Sequence, residues 1–141
     1  MKLLIVEDSR VVVERIWEIL VEIPGLEIVG TAEDQRGALH LVAQSIPDVI
    51  LLDLQIRGGS GLEILGAVKT DLPQIVVIVL TNHSSAPIRE ACLKAGADYF
   101  LDKSNDFGDL PKVLARVGDK SAVAPCKSAE TGGAIGRKAA I

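Results

Sequence analysis

Asp48-Val49-Ile50-Leu51-Leu52-Asp53 is an unbroken aliphatic run closed at each end by an aspartate. A strand wet on one face alternates apolar and polar residues, whereas a strand covered on both faces does not. This stretch therefore predicts a central strand of a parallel sheet with helices on either side. Ile75-Val76-Val77-Ile78-Val79-Leu80 reads the same way. Lys2–Val6, Leu26–Gly30 and Tyr99–Leu101 complete a set of five strands, each bounded by glycine, proline or charged residues.

Helical periods fill the gaps between these runs. Val12, Val13, Ile16, Leu20 and Ile23 form one stripe, with Ser9 as its N-cap and Pro24-Gly25 as its stop. A second helix runs from about Asp34 to Ser45 and a third from about Leu62 to Lys69. Ser84 or Ser85 is expected to cap a fourth that Gly96 closes, and a fifth begins near Asp106 and fades by Gly118. Strands alternating with helices predict a doubly wound α/β domain, with five helices around a five-stranded parallel sheet of order 2-1-3-4-5. Residues 1–118 form that domain. Residues 119–141, rich in Ala, Gly, Ser and Lys without an apolar face, are read as a flexible C-terminal tail.

Composition narrows the function. Hydrophobic residues make up 48% of the 141, enough for one core. Only Trp17, Tyr99, Phe100 and Phe107 are aromatic, so aliphatic side chains do the packing. The formal charge is −4. Residues 119–141 carry four basic and two acidic side chains, which leaves residues 1–118 at −6. An acidic domain is a poor partner for nucleic acid. No run approaches the roughly 20 apolar residues that span a bilayer, and Lys2–Val6 is too short for a signal segment. Cys92 and Cys126 are isolated and read as reduced thiols of a cytoplasmic protein.

In such a sheet, ligands bind outside the carboxyl ends of the strands. The first strand ends in Glu7-Asp8, the third in Asp53 and the fourth in Thr81, and Lys103 follows the fifth. Taken singly, each has an ordinary structural reading as a cap or a solvated surface residue. Together they put three carboxylates, a hydroxyl and an ammonium on one rim. Clustered carboxylates repel, and Mg²⁺ relieves that repulsion with its preference for oxygen ligands. Asp8 and Asp53 are the expected direct ligands, with Glu7 acting through water. Lys103 and Thr81 suit phosphoryl oxygens, and the set matches phosphoryl transfer with Asp53 as nucleophile.

Leu4–Ser9, Val49–Leu54, Gly61-Leu62-Glu63, Val79-Leu80-Thr81 and Ala95–Lys103 resemble the receiver domain of bacterial two-component response regulators, with a flavodoxin-like fold. The likeness covers residues 2–118, and the successive spacings of 45 residues from Asp8 to Asp53, 28 from Asp53 to Thr81 and 22 from Thr81 to Lys103 agree with it. The resemblance implies that Asp53 accepts phosphate from a histidine kinase or histidine phosphotransfer protein. It implies a metal site of Glu7, Asp8, Asp53 and the Gln55 carbonyl, and phosphoryl contacts from Thr81 and Lys103. Gln55 and His83 become modulators of phosphate lifetime, and Thr81 and Phe100 the switch pair. Output then goes to a downstream protein target through the fourth-helix/fifth-strand/fifth-helix face. The protein is then expected to be a stand-alone receiver that would catalyse only its own phosphorylation and dephosphorylation.

Three positions depart from the pattern. Arg57 stands where proline is frequent, Asn82 where a small residue is frequent, and Ser104 where proline usually follows the lysine. Alternative readings are a phosphate-independent pseudo-receiver or a truncated receiver of a multidomain regulator. An aspartyl phosphatase of the haloacid dehalogenase type is disfavoured, because it would need an aspartate where Gln55 stands.

Overall fold

The computed structural model describes residues 1–82 and 84–122. Seven strands form: β1 (Lys2–Val6), β2 (Glu27–Ala32), β3 (Val49–Leu52), β4 (Gln55–Ile56), β5 (Gly59–Ser60), β6 (Val76–Thr81) and β7 (Tyr99–Asp102). Five of them pair in parallel in the order β2-β1-β3-β6-β7. This is the expected order 2-1-3-4-5 once the two-residue strands β4 and β5, a separate antiparallel hairpin, are set aside. The helices are α1 (Arg10–Leu20), α2 (Gln35–Ser45), α3 (Gly61–Asp71), α4 (Ala86–Lys94) and α5 (Leu110–Ala122).

The aliphatic runs serve both faces at once. Leu4, Val6, Ile50, Leu52, Val77, Val79 and Phe100 project to one side and pack on α2, α3 and α4 through Ala38, Val42, Ile64, Leu65, Val68 and Cys92. Leu3, Ile5, Val49, Leu51, Ile78, Leu80 and Leu101 project to the other and meet Ile16 and Leu20 of α1 and Leu110, Leu114 and Val117 of α5. Each fully buried Leu or Ile contributes roughly 1.5–3 kcal/mol relative to exposure. Leu3, Leu4, Ile5, Ile50 and Leu52 are all at 0% exposure, so β1 and β3 carry the densest part of the core. Among the described residues, no helix is long and apolar enough to cross a membrane.

Ser85, one of the two serines expected to cap α4, is its N-cap, and its side chain makes no cap bond. Other boundaries differ from those expected. Helix α3 starts at Gly61 and reaches Asp71, longer at both ends. A 3-10 turn, Phe107–Asp109, leads into α5, which continues to Ala122 instead of fading by Gly118. The remainder of the expected tail lies outside the described residues. The hairpin was not anticipated, since two-residue strands leave no periodicity to read.

Ile46 closes α2 with φ +42, its N–H donating to the Val42 carbonyl. The following Pro47 bars right-handed helical geometry at Ile46, so the chain exits through the left-handed region, where a β-branched residue is an outlier. That conformation costs about 1–2 kcal/mol for an L-residue, and the extra chain entropy of glycine gives back about 0.5–1 kcal/mol. Ile46→Gly should therefore raise stability by about 0.5–1 kcal/mol, seen as a higher urea midpoint with an unchanged slope.

Candidate functional site

Glu7, Asp8 and Asp53 leave the carboxyl ends of the adjacent strands β1 and β3, whose register pairs Val6 with Leu52. Parallel pairing therefore brings the residues just beyond these strands to one place. One carboxylate oxygen from each of the three lies within 4.8 Å of the others. Glu7 and Asp53 are buried, and Asp8 is half-buried. Thr81 is fully buried at the end of β6.

Lys103 reaches into this cluster from the turn after β7. Its Nζ lies 2.6 Å from Glu7 Oε1 and 3.1 Å from Asp53 Oδ2. Burial opposes the lysine's charge, but the Glu7 hydrogen bond and the charges of Asp53 and Glu7 outweigh it, holding its pKa above the ordinary value. Burial pushes the Glu7 carboxyl above the glutamate range and Asp53 pushes it further, against the pull of the Lys103 hydrogen bond. Glu7 also accepts from the Ser9 N–H at 3.1 Å, which ties the carboxylate to the start of α1. Three carboxyl groups against one ammonium leave the cluster with an excess of acidic groups. Hard oxygen donors with that surplus fit a divalent cation such as Mg²⁺.

The backbone around Asp53 is held from both sides. The Gln55 N–H donates to Asp53 Oδ1 at 3.3 Å, and Gln55 then pairs with Ser60 across the hairpin. The hairpin turns at Gly58, φ +69, a conformation open to glycine. Gln35 on α2 grips its far strand, with Oε1 accepting from the Ser60 N–H at 3.2 Å. Arg57, the first departure, forms an exposed ion pair with Glu33 at 3.3 Å, worth little in water. Its carbonyl accepts from the Gln35 N–H at 3.2 Å, a bond independent of side chain.

Of the residues singled out in the sequence, Glu7, Asp8, Asp53 and Lys103 converge directly. Gln55 joins them through its backbone N–H. Phe100 lies one strand over from Thr81: its ladder partner is Val79, two residues before Thr81, so both side chains project to the same face. The Phe100 ring is buried beneath the Arg89 guanidinium, 5.6 Å from its centroid. Asn82 is exposed beside Lys103 and Ser104, lining a cavity of about 430 Å³ that Arg15 and Phe107 also border. His83 lies outside the described residues. Gly61, Ser84 and Asp102 carry no site role in the sequence reading. Gly61 donates its N–H to the Leu54 carbonyl at 3.0 Å, and a Cβ there would stand 2.2 Å from the Asp53 carbonyl oxygen.

A parallel five-stranded sheet with acidic residues and a lysine at one rim defines a receiver-type signalling domain, and comparison with known proteins agrees. The profile of the response regulator receiver domain matches residues 3–115. The chain belongs to that family. It is 35% identical over 113 residues to the nitrate/nitrite response regulator protein NarP of Escherichia coli, covering 80% of this chain and 51% of NarP. Against the response regulator GacA of Pseudomonas aeruginosa the identity is 30% over 116 residues, covering 82% of this chain and 54% of GacA. The chain thus spans about half the length of these relatives. The isolated receiver domain of RcsB from Salmonella enterica serovar Typhimurium, solved with the phosphomimetic BeF3−, superposes with a TM-score of 0.80 at 27% identity. That match covers 84% of this chain and 88% of the RcsB domain.

Gly61→Ala offers a test of the site's scaffold. The added methyl must push the Asp53 backbone aside, at a cost of about 1–3 kcal/mol. Calorimetric titration should show Mg²⁺ affinity falling in this variant, whereas alanine at Gly66, where a Cβ meets nothing within 4 Å, should leave it unchanged.

Proposed function

We propose that this receiver domain takes a phosphoryl group on Asp53 and signals by changing which protein it binds. The donor is the phosphohistidine of a histidine kinase or histidine phosphotransfer protein. An Asp53 carboxylate oxygen attacks phosphorus, a P–O bond forms as the P–N bond breaks, and the departing imidazole regains a proton. Glu7, Asp8, Asp53 and the Gln55 carbonyl would hold Mg²⁺, which would supply charge neutralisation for the phosphoryl oxygens.

The observation that carries this reading is the Lys103 ammonium lying within hydrogen-bond distance of Asp53 and Glu7. In the resting protein it balances buried carboxylate charge. Once a phosphoryl group is present, it offers the same charge to a phosphoryl oxygen, so one residue serves both states. Thr81 binds a second oxygen. Its movement opens space on the face it shares with Phe100, and reorientation of that ring shifts the population of the α4–β7–α5 surface. Output passes to a downstream protein through that surface. Gln55 and His83 set how long the phosphate survives. The work belongs in the cytoplasm, where such kinases have their donors.

This reading is favoured over a phosphate-independent pseudo-receiver because Glu7, Asp8, Asp53, Thr81 and Lys103 are all present and the charged members meet. A pseudo-receiver has no use for a nearly buried lysine counter-charge beside an excess of carboxylates, which costs several kcal/mol per uncompensated ion. What the remaining halves of the longer relatives do is not carried over to this chain.

With Mg²⁺ and acetyl phosphate, the protein should gain one phosphoryl group by intact mass, and Asp53→Asn should gain none. Lys103→Ala should slow uptake by about 10²-fold or more, the scale of losing a preorganised charge at the reacting group. Phosphorylation of Asp53→Asn at the parent rate would sink the proposal.

A further inference from the structure

The turn after β7 lacks the rigid residue that ordinarily follows this lysine, yet Lys103 is held with both flanking peptide groups bonded. Its own N–H donates to the Thr81 carbonyl at 3.0 Å. The next N–H, that of Ser104, donates to Asp102 Oδ1 at 2.7 Å. The other oxygen of the same carboxylate, Oδ2, accepts from the Ser84 hydroxyl at 2.5 Å. The Asp102 N–H donates to Asp106 Oδ2 at 2.9 Å, and the Asp106 N–H returns to the Asp102 carbonyl at 2.7 Å.

We infer that Asp102 is the positioning residue for Lys103, and that its bond to Ser84 couples the lysine to the loop that follows Thr81. This deepens the proposed phosphoryl-acceptor function and rests on it. A proline at position 104 would have no N–H and would fix its own backbone. Ser104 keeps its N–H and ordinary backbone freedom, and an acceptor that captures the N–H restricts that freedom. Asp102 does so from two residues upstream, the spacing at which aspartate bonds backbone locally. The lysine lies between donor and acceptor, and its backbone direction follows from that closure.

The second oxygen adds what a proline cannot. Ser84 follows Thr81 by three residues, in the loop between β6 and α4. Lys103 is thus attached to that segment at two points, through the Thr81 carbonyl and through the Ser84 hydroxyl. Any inward movement of Thr81 toward a phosphoryl group is transmitted to the turn that aims the ammonium. Hydrogen bonds from Ser84 and from the Ser104 N–H hold the Asp102 carboxyl below the ordinary aspartate range.

The test compares Asp102→Ala, Asp102→Asn, Ser84→Ala and the Ser84→Ala/Asp102→Ala pair in the full chain, with acetyl phosphate and Mg²⁺. Displacing a catalytic group by about 1 Å can cost up to 10²-fold in rate. We expect Asp102→Ala to slow phosphorylation about tenfold and Ser84→Ala about threefold, with the pair no slower than Asp102→Ala alone. Asp102→Asn keeps one acceptor oxygen for the Ser104 N–H and should fall between parent and Asp102→Ala. It carries the test if the alanine variant fails to fold. Amide exchange at Lys103 and Ser104 is read in parallel and should quicken in Asp102→Ala. Parent-like phosphorylation in Asp102→Ala, or a pair whose loss is the product of the two single losses, overturns the inference. If the parent itself takes up no phosphate, the acceptor function has failed. Amide exchange then decides the positioning role: faster exchange in Asp102→Ala upholds it, and unchanged exchange removes it.

Discussion

The Lys103 ammonium, bonded to Glu7 and Asp53 where little water reaches, is the interaction on which the site depends. Parallel strands leave no choice about where their carboxyl ends emerge, so Glu7, Asp8 and Asp53 must share one rim. Buried carboxylates in that proximity would cost several kcal/mol each without a counter-charge. One lysine offsets part of that cost and leaves the rest. The surplus of acidic groups is the property that suits the rim to a divalent cation.

Two loops convert this charge arrangement into a defined geometry. On the α2 side, the Gln55–Ser60 hairpin returns to the sheet at Gly61, whose lack of a side chain lets it lie against the Asp53 carbonyl. Gln35 secures the hairpin's far strand, so the segment that touches Asp53 at both ends is fixed independently of Arg57. On the opposite side, Asp102 and Asp106 bond the turn that carries Lys103. The backbone on each side of Lys103 is hydrogen-bonded, with its own N–H on the Thr81 carbonyl and the Ser104 N–H on Asp102. Two of the three departures from the family pattern, Arg57 and Ser104, are absorbed by local polar contacts, and Asp53 and its counter-charge still meet.

Phe100 joins site and surface. It is packed with Val79, Cys92 and Ile88 in the core layer beneath α4, and its ring lies under the Arg89 guanidinium. The ring lies on the same face of the sheet as Thr81. Helix α4 is short, with Cys92 its one buried residue. Limited burial is what allows an element to move at modest cost.

Much of this was legible in one dimension. Val49–Leu52 and Val76–Leu80 declared a sheet buried on both faces because aliphatic runs of that length have no other stable placement. Once the strands are set, the residues that end them must gather at one edge, which is why Asp53, Asp8 and Thr81 could be named without coordinates. Ser9, Asp34 and Pro47 marked helix boundaries through local bonding and backbone sterics alone. The Gln55–Ser60 hairpin, the 3-10 entry to α5 and the Ser84–Asp102 bridge could not be read this way. Each joins residues whose contact depends on how loops from separate strands fold over the rim, and two-residue strands or single hydrogen bonds leave no periodic trace. Sequence alone determined which chemical groups reach the edge of the sheet, because strand periodicity and parallel topology are local and cumulative properties. Tertiary structure alone decided which of them touch, because a hydrogen bond is made or lost over tenths of an ångström that only the packed loops define.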